Sequence, residues 1–181
     1  MTPVHFRHAY CPCCNKVFLH ARLVAALTWL DRDFAPRFRV TSGYRCPAHN
    51  AAVHGHPQSL HLFGLALDLA PVHVDMPELV RAVLSVPNFA VGGFGWYPQR
   101  GIIHVDVRQS PANWCRINDH HGDLQAEWRK RYPLHPLPKV AATQPNHSRV
   151  DSGPASQSQP ESASAPPTQQ TTEPGSPSGT T

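Results

Sequence analysis

No run in this 181-residue chain is long and apolar enough to span a bilayer. The opening residues, MTPVHFRHAYCPCC, lack the basic start and apolar core of a secretory signal. The chain is therefore expected to be cytoplasmic as synthesised, with any target beyond the membrane reached only after release. Cysteine is sparse and odd in number, the five being Cys11, Cys13, Cys14, Cys46 and Cys115. A small secreted disulfide scaffold would be denser in cysteine and even in count. Aromatic side chains are missing beyond Tyr132, and residues 151–181 hold almost nothing that can be buried. Such a segment cannot offset the entropy of ordering itself. These absences divide the chain into a folded domain, residues 1–135, and a Pro/Ser/Thr/Gln-rich tail, residues 136–181, expected to be disordered.

The folded part reads as α+β. Leu19, Leu23, Leu27 and Leu30 recur at helical spacing and predict an amphipathic helix over about 18–32. Phe38 and Val40 alternate with Arg37, Arg39 and Thr41, the pattern of a short strand. Pro47 opens a short helix that closes near Gly55. Leu65, Leu67 and Leu69 alternate with Ala66, Asp68 and Ala70, the period of a half-buried strand. Asp75 caps a helix from Pro77 to about Ser85. Residues 91–96 and 101–107 read as two strands around a turn at Pro98-Gln99-Arg100, and 123–132 as a last helix. Strands in runs with helices set apart predict an antiparallel sheet flanked by helices. The net charge of +4 and a pI of about 9.0 favour anionic partners: nucleic acid, anionic lipid or the acidic polymers of a bacterial wall. The densest basic group, Arg129-Lys130-Arg131, reads as a solvated helix end.

The chemistry concentrates in two stretches. Ser59-Leu60-His61-Leu62-Phe63-Gly64-Leu65-Ala66-Leu67-Asp68 places a histidine and a carboxylate seven positions apart, across residues small enough to leave space. Ile102-Ile103-His104-Val105-Asp106-Val107 supplies a second histidine and a second carboxylate. Side chains alternate across a strand. Leu65, Leu67 and Leu69 therefore face the core, with Asp68 on the other side. Ile103, Val105 and Val107 likewise oppose His104 and Asp106, which lie about 7 Å apart on one face at ~3.3 Å per residue. A carboxylate so close to an apolar interior needs a partner. Two imidazoles and one carboxylate are the usual protein ligands of a hydrolytic zinc, which keeps a position open for water. The remaining carboxylate then stands over that water as general base. With thirteen histidines in the chain, most must be unremarkable surface groups, so the weight lies on the composite pattern.

Ser59-x-His61-x-x-Gly64-x-Ala66-x-Asp68, preceded by Thr41-Ser42-Gly43-Tyr44-Arg45 and followed by His104-Val105-Asp106, resembles the zinc D-alanyl-D-alanine carboxypeptidase family. Within it the chain is most similar to the small phage and bacterial peptidoglycan peptidases. The resemblance covers about residues 5–110. It implies a hedgehog/DD-peptidase-like fold and one catalytic zinc held by His61, Asp68 and His104. It implies that Arg45 binds a substrate carboxylate or carbonyl oxygen, stabilising the oxyanion, and that Ser59 lies beside the substrate. Some members carry an acidic residue three positions before the second histidine ligand, where this chain has Gly101; others carry a histidine two before it, where this chain has Ile102. Asp106 is accordingly expected to be the base, the alternative being a structural carboxylate paired with Arg108 or Arg45. The implied function is zinc-dependent hydrolysis of a peptide bond in peptidoglycan stem peptides, as a D,D-carboxypeptidase or endopeptidase of endolysin type. The chain is expected to act as a monomer, without nucleic acid and without membrane insertion.

Two other classes compete. Hedgehog signalling domains keep the zinc of this fold and bind partners without cleaving, so a non-catalytic binding module is the alternative; His104-x-Asp106 argues against it. A nucleic-acid binder with a small zinc knuckle would suit the basic pI and Cys11-Pro12-Cys13-Cys14, but only Phe6, Tyr10 and Lys16 stand nearby where aromatic and basic residues should interleave. A structural zinc needs four ligands. The cysteine run supplies them only if Cys46, Cys115 or a histidine joins; otherwise these are reduced, partly buried thiols. Trp96 and Tyr97 read as core or rim residues rather than cleft lining.

Overall fold

The computed structural model describes residues 8–35, 37–118 and 120–139. Helix α1, Ala21–Phe34, is capped by the His20 ring, which accepts the Arg22 amide. It starts later than the leucine spacing suggests. Leu19 still packs on the core, but the chain there is tied down by the His20 amide on the Gly64 carbonyl. The helix ends where Ala35 turns extended, as the residue before a proline prefers. Strand β1, Phe38–Ser42, leads to α2, Pro47–Ala52, with Cys46 as its cap. A single 3-10 turn, Leu60–Phe63, precedes β2, Ala66–Pro71. Helix α3, Met76–Ser85, starts where the Asp75 carboxylate accepts the Glu78 amide at 2.7 Å. Then come α4, Pro87–Ala90; β3, Gly93–Tyr97; β4, Ile102–Asp106; β5, Ala112–Ile117; β6, His120–Gly122; and α5, Leu124–Arg131.

The strands make one sheet in the order β1-β2-β4-β3-β5-β6. Neighbours are antiparallel except β3 and β5, which run parallel. The α+β expectation holds, with that pair as the departure from a purely antiparallel sheet. Strands β5 and β6 are absent from the sequence reading because Ala112–Ile117, ANWCRI, does not alternate cleanly, and His120–Gly122 is too short to show a period.

Register gives the sheet two unlike faces. Val40, Leu69, Ile103, Trp96 and Cys115 form one cross-strand row, and Leu67, Val105 and Phe94 another. These side chains merge with Leu23, Leu27 and Leu30 of α1 and Leu79, Val80 and Val83 of α3 in one buried cluster. Each such side chain contributes about 1.5–3 kcal/mol when fully buried. The opposite face carries a second row: Ser42, Asp68, His104, Gly95 and Trp114. That face holds the chemistry. It is also covered, which is why β2 is buried from Ala66 through Ala70 instead of alternating.

The C-terminal end of the domain is closed by aromatics. Trp128 is fully buried, 5.0 Å from the Trp96 ring and 4.8 Å from Tyr132. Its indole donates to the His135 carbonyl at 2.8 Å, and Leu137 joins the core. The folded unit therefore extends past the expected limit at residue 135. The tail from residue 140 onward lies outside the described residues. No helix among the described residues is long and apolar enough to cross a membrane. Truncating Trp128 to alanine leaves a cavity beside Trp96 and an unpaired carbonyl. It is expected to cost about 3–5 kcal/mol in urea unfolding; a loss below about 1 kcal/mol would show that α5 does not close the core.

Candidate metal centre

Gly64 sets the phase of the site. It adopts a left-handed conformation (φ 62°), and a Cβ there would strike the Phe18 carbonyl. This αL turn, which glycine adopts without strain, ends the 3-10 turn carrying His61 and starts the strand carrying Asp68. His61 is buried, with Nδ1 donating to the Gly43 carbonyl at 2.7 Å. That bond fixes the tautomer and leaves the Nε2 lone pair facing inward. Burial pushes the His61 pKa down against the opposing pull of Asp68, so the ring is neutral.

Three inward donor atoms then meet. His61 Nε2 lies 3.2 Å from His104 Nδ1, His104 Nδ1 lies 3.1 Å from Asp68 Oδ1, and Asp68 Oδ1 lies 3.3 Å from His61 Nε2. The triangle is almost equilateral. An ion bound tetrahedrally at about 2.0–2.1 Å has ligand atoms about 3.3–3.4 Å apart. The donor set, its spacing and its burial fit zinc, with the fourth direction left to the cleft.

Asp68 is ionised. Burial alone would raise its pKa, but the two imidazoles hold the carboxyl far below the usual carboxylate range. Its second oxygen accepts Arg45 Nη2 at 2.6 Å, while Arg45 Nε donates to Ser42 Oγ at 2.9 Å. Arg45 therefore orients a candidate ligand through Nη2 and Nε while its guanidinium lines the cleft. Ser59 lines the cleft, and its hydroxyl makes no cap bond to the turn.

A family model described as Peptidase M15 matches residues 7–106, which include these three side chains and Arg45. The chain belongs to the peptidase M15 family. No curated protein gives a significant match. M15 peptidases are zinc-dependent, in agreement with the geometry of the triangle and with the motif resemblance. The M15 match stops at the end of β4, so β5 and its Trp114 lie beyond it.

The structure corrects one expectation. Asp106 does not stand over the open side of the triangle. It is fully buried behind His104, with Oδ2 3.2 Å from Nε2, the ring nitrogen that faces away from Asp68 and His61. Its remaining acceptor capacity is filled. The Gly93 amide donates to Oδ1 at 3.0 Å, the Arg108 amide to Oδ1 at 3.1 Å, and the Arg108 guanidinium to both oxygens at 2.7–3.0 Å. Burial opposes ionisation, but His104 and Arg108 hold the carboxyl well below its ordinary range. Such a group is a poor proton acceptor. It is instead the carboxylate partner that fixes a ligand histidine and strengthens it as a donor. Against burial, Asp106 and Asp68 raise the basicity of His104. Strand phase correctly put His104 and Asp106 on one face; it did not reveal which side of the imidazole the carboxylate would occupy.

Two glycines on β3 make this possible. A Cβ on Gly93 would fall 2.1 Å from Asp106 Oδ2, and one on Gly95 2.3 Å from the Trp114 ring. Trp114 therefore lies across Gly95, its ring 5.1 Å from that of His104, and donates from Nε1 to the Tyr97 hydroxyl at 3.0 Å. Tyr97 faces the cleft while Trp96 is core, so only half of the expectation for this pair holds. Burial raises the Tyr97 pKa, which keeps it a phenol. Its oxygen accepts from Trp114, so its own proton is available to a ligand. The alternating glycines opposite His104 and Asp106 were the available sequence signal. Trp114 had none without the β3–β5 pairing.

The triangle opens into a cleft of about 780 Å³ lined by Arg45, Arg100, Arg108, Arg116, His54 and His56, with Asp68 as its one acidic residue among the described residues. Asn50, buried in α2, donates to the His56 carbonyl at 3.0 Å and braces the histidine-bearing loop. Replacing Asp106 by asparagine is expected to weaken zinc binding about 10–100-fold, with activity recovering in excess zinc. Unchanged zinc affinity with activity lost at every zinc concentration would return Asp106 to the role of base.

Proposed function

We propose that this chain cleaves a peptide bond in the stem peptides of bacterial peptidoglycan, as a zinc-dependent D,D-carboxypeptidase or endopeptidase, acting on the wall after release from the cytoplasm. The observation that carries this reading is the ligand triangle at the base of a cleft whose other charged wall residues are cationic. Stem peptides are rich in free carboxylates, and arginine pairs with carboxylate in a fixed fork.

His61, Asp68 and His104 would hold a zinc ion that, when bound, would supply a Lewis acid able to polarise a carbonyl and make water nucleophilic near neutral pH. Arg45 keeps Asp68 oriented and offers its guanidinium to a substrate oxygen. We assign the Tyr97 hydroxyl, which lines the cleft, to a developing oxyanion, where a hydrogen bond strengthens as charge develops. Apart from the ligand Asp68, no carboxylate lines the described cleft. Proton transfer therefore falls to its histidines. His56 accepts the Gln58 amide on Nδ1, so its neutral form carries the proton on Nε2 and donates.

A second reading has one observation in its favour: with Asp106 sequestered, no spare carboxylate among the described residues lines the cleft, as suits a module that binds wall peptides without cutting them. Digestion of purified peptidoglycan with and without a chelator, read by mass spectrometry, separates the two. Zinc-dependent release of stem-peptide fragments is expected. Binding to the wall without any product would establish the module. Within the peptidase reading, Tyr97→Phe is expected to lower kcat about 10²–10³-fold with zinc content intact. A kcat equal to that of the parent would remove Tyr97 from the chemistry.

A further inference from the structure

A second cluster of metal-ligating side chains lies apart from the cleft. The N-terminal segment from Ala9 to Lys16 folds into a tight loop. The Cys11 amide donates to the Lys16 carbonyl and the Asn15 amide to the Cys11 carbonyl, both at 2.8 Å, with Asn15 in the left-handed region (φ 54°). Only Ala9 and Cys11 of this loop are buried; Pro12, Cys13, Asn15 and Lys16 are exposed. Apolar burial does not account for its compact form. What converges inside it is sulfur. Cys11, Cys14 and Cys46 bring their thiols within 4.8 Å of one another, and Cys13 Sγ lies 3.6 Å from Cys46 Sγ. Cys115 is elsewhere, in the core on β5.

We propose that Cys11, Cys13, Cys14 and Cys46 hold a structural zinc-class ion as a tetrathiolate. Zinc–sulfur bonds of about 2.3 Å in tetrahedral geometry place sulfurs about 3.8 Å apart; the Cys13 and Cys46 sulfurs stand at 3.6 Å, and those of Cys11, Cys14 and Cys46 lie within 4.8 Å of one another. The surrounding amides suit thiolates. The Cys46 amide donates to Cys11 Sγ at 3.5 Å and the His49 amide, in the first turn of α2, to Cys46 Sγ at 3.4 Å. Zinc is favoured over harder cations because soft thiolates select it. Binding releases the thiol protons and converts ligand affinity into local folding energy, which a loop without a core requires.

The location gives this ion a task. The Ala9 carbonyl accepts the Tyr44 amide at 3.0 Å, and a Cβ on Gly43 would strike the Ala9 backbone at 2.6 Å. The loop is thus clamped against the segment whose Gly43 carbonyl fixes His61 and whose Arg45 holds Asp68. An ion tying Cys11, Cys13 and Cys14 to Cys46 staples that segment from outside the cleft.

The test uses the full chain purified under reducing conditions. Metal analysis is expected to give about two ions per chain, falling to about one in Cys46→Ser and to about one in His104→Ala. Cobalt(II) substitution separates the sites, because only thiolate ligands give intense sulfur-to-cobalt charge-transfer absorption. That absorption is expected in the parent and in His104→Ala, and not in Cys46→Ser. Should Cys46→Ser fail to fold, the parent spectrum decides alone. Cobalt-loaded parent protein without thiolate absorption, or an intact mass showing these cysteines joined as disulfides, would overturn the proposal. Because the thiolate signal does not depend on His104, failure of the catalytic reading would leave it unchanged.

Discussion

Asp68 is a carboxylate taken out of water on a strand whose opposite face is the hydrophobic core. An isolated charge in that position would be prohibitively costly. Its partners come from separate parts of the chain: His104 from the neighbouring strand, His61 from the turn before its own strand, and Arg45 from the loop after β1. Each partner is fixed in turn. Gly43 orients His61, Asp106 orients His104, and Ser42 orients Arg45. A buried charge that breaks one partner loses several kcal/mol, so these contacts form together or not at all. The donor triangle is a product of that cooperative arrangement.

The sheet makes the arrangement possible by keeping its faces separate. Behind the strands, Leu67, Leu69, Ile103 and Val105 are anchored by α1 and α3 in a single core. In front, small residues are set opposite functional ones: Ala66 and Gly93 against Asp106, Gly95 between His104 and Trp114. Each small residue gives up packing to admit a polar or aromatic group, and the loss is carried by a core on the other face. A site placed on strands in this way is more rigid than one placed on loops. The loop-borne groups, His54 and His56, are exposed in the cleft wall, on the kind of segment that carries variation between related proteins.

Much of this was legible in the sequence because strand phase is a strict period of two. Leu65-x-Leu67-x-Leu69 and Ile103-x-Val105-x-Val107 determine which way Asp68, His104 and Asp106 point, and the structure keeps that assignment. Phase says nothing about pairing, however. The Arg45–Asp68 and Arg108–Asp106 contacts depend on side-chain direction at strand ends, and they change what both arginines can do. Asp106 looked spare because a sequence shows that a carboxylate is near a histidine and not which ring nitrogen it meets. Trp114 was invisible for a topological reason: it reaches the site only because β5 lies parallel to β3, a long-range pairing with no local signature. Cys46 met Cys11, Cys13 and Cys14 for a similar reason, across 31 or more residues of intervening chain.

The central claim is that His61, Asp68 and His104 form a zinc site through a stated set of atoms. Anomalous scattering at the zinc edge, measured on crystals of the full chain, tests it most directly. The expected result is a peak on the cleft side within about 2.0–2.3 Å of His61 Nε2, Asp68 Oδ1 and His104 Nδ1, with Asp106 still on His104 Nε2. A zinc-replete crystal with no peak there, or with the ion bound through Asp106, would contradict it.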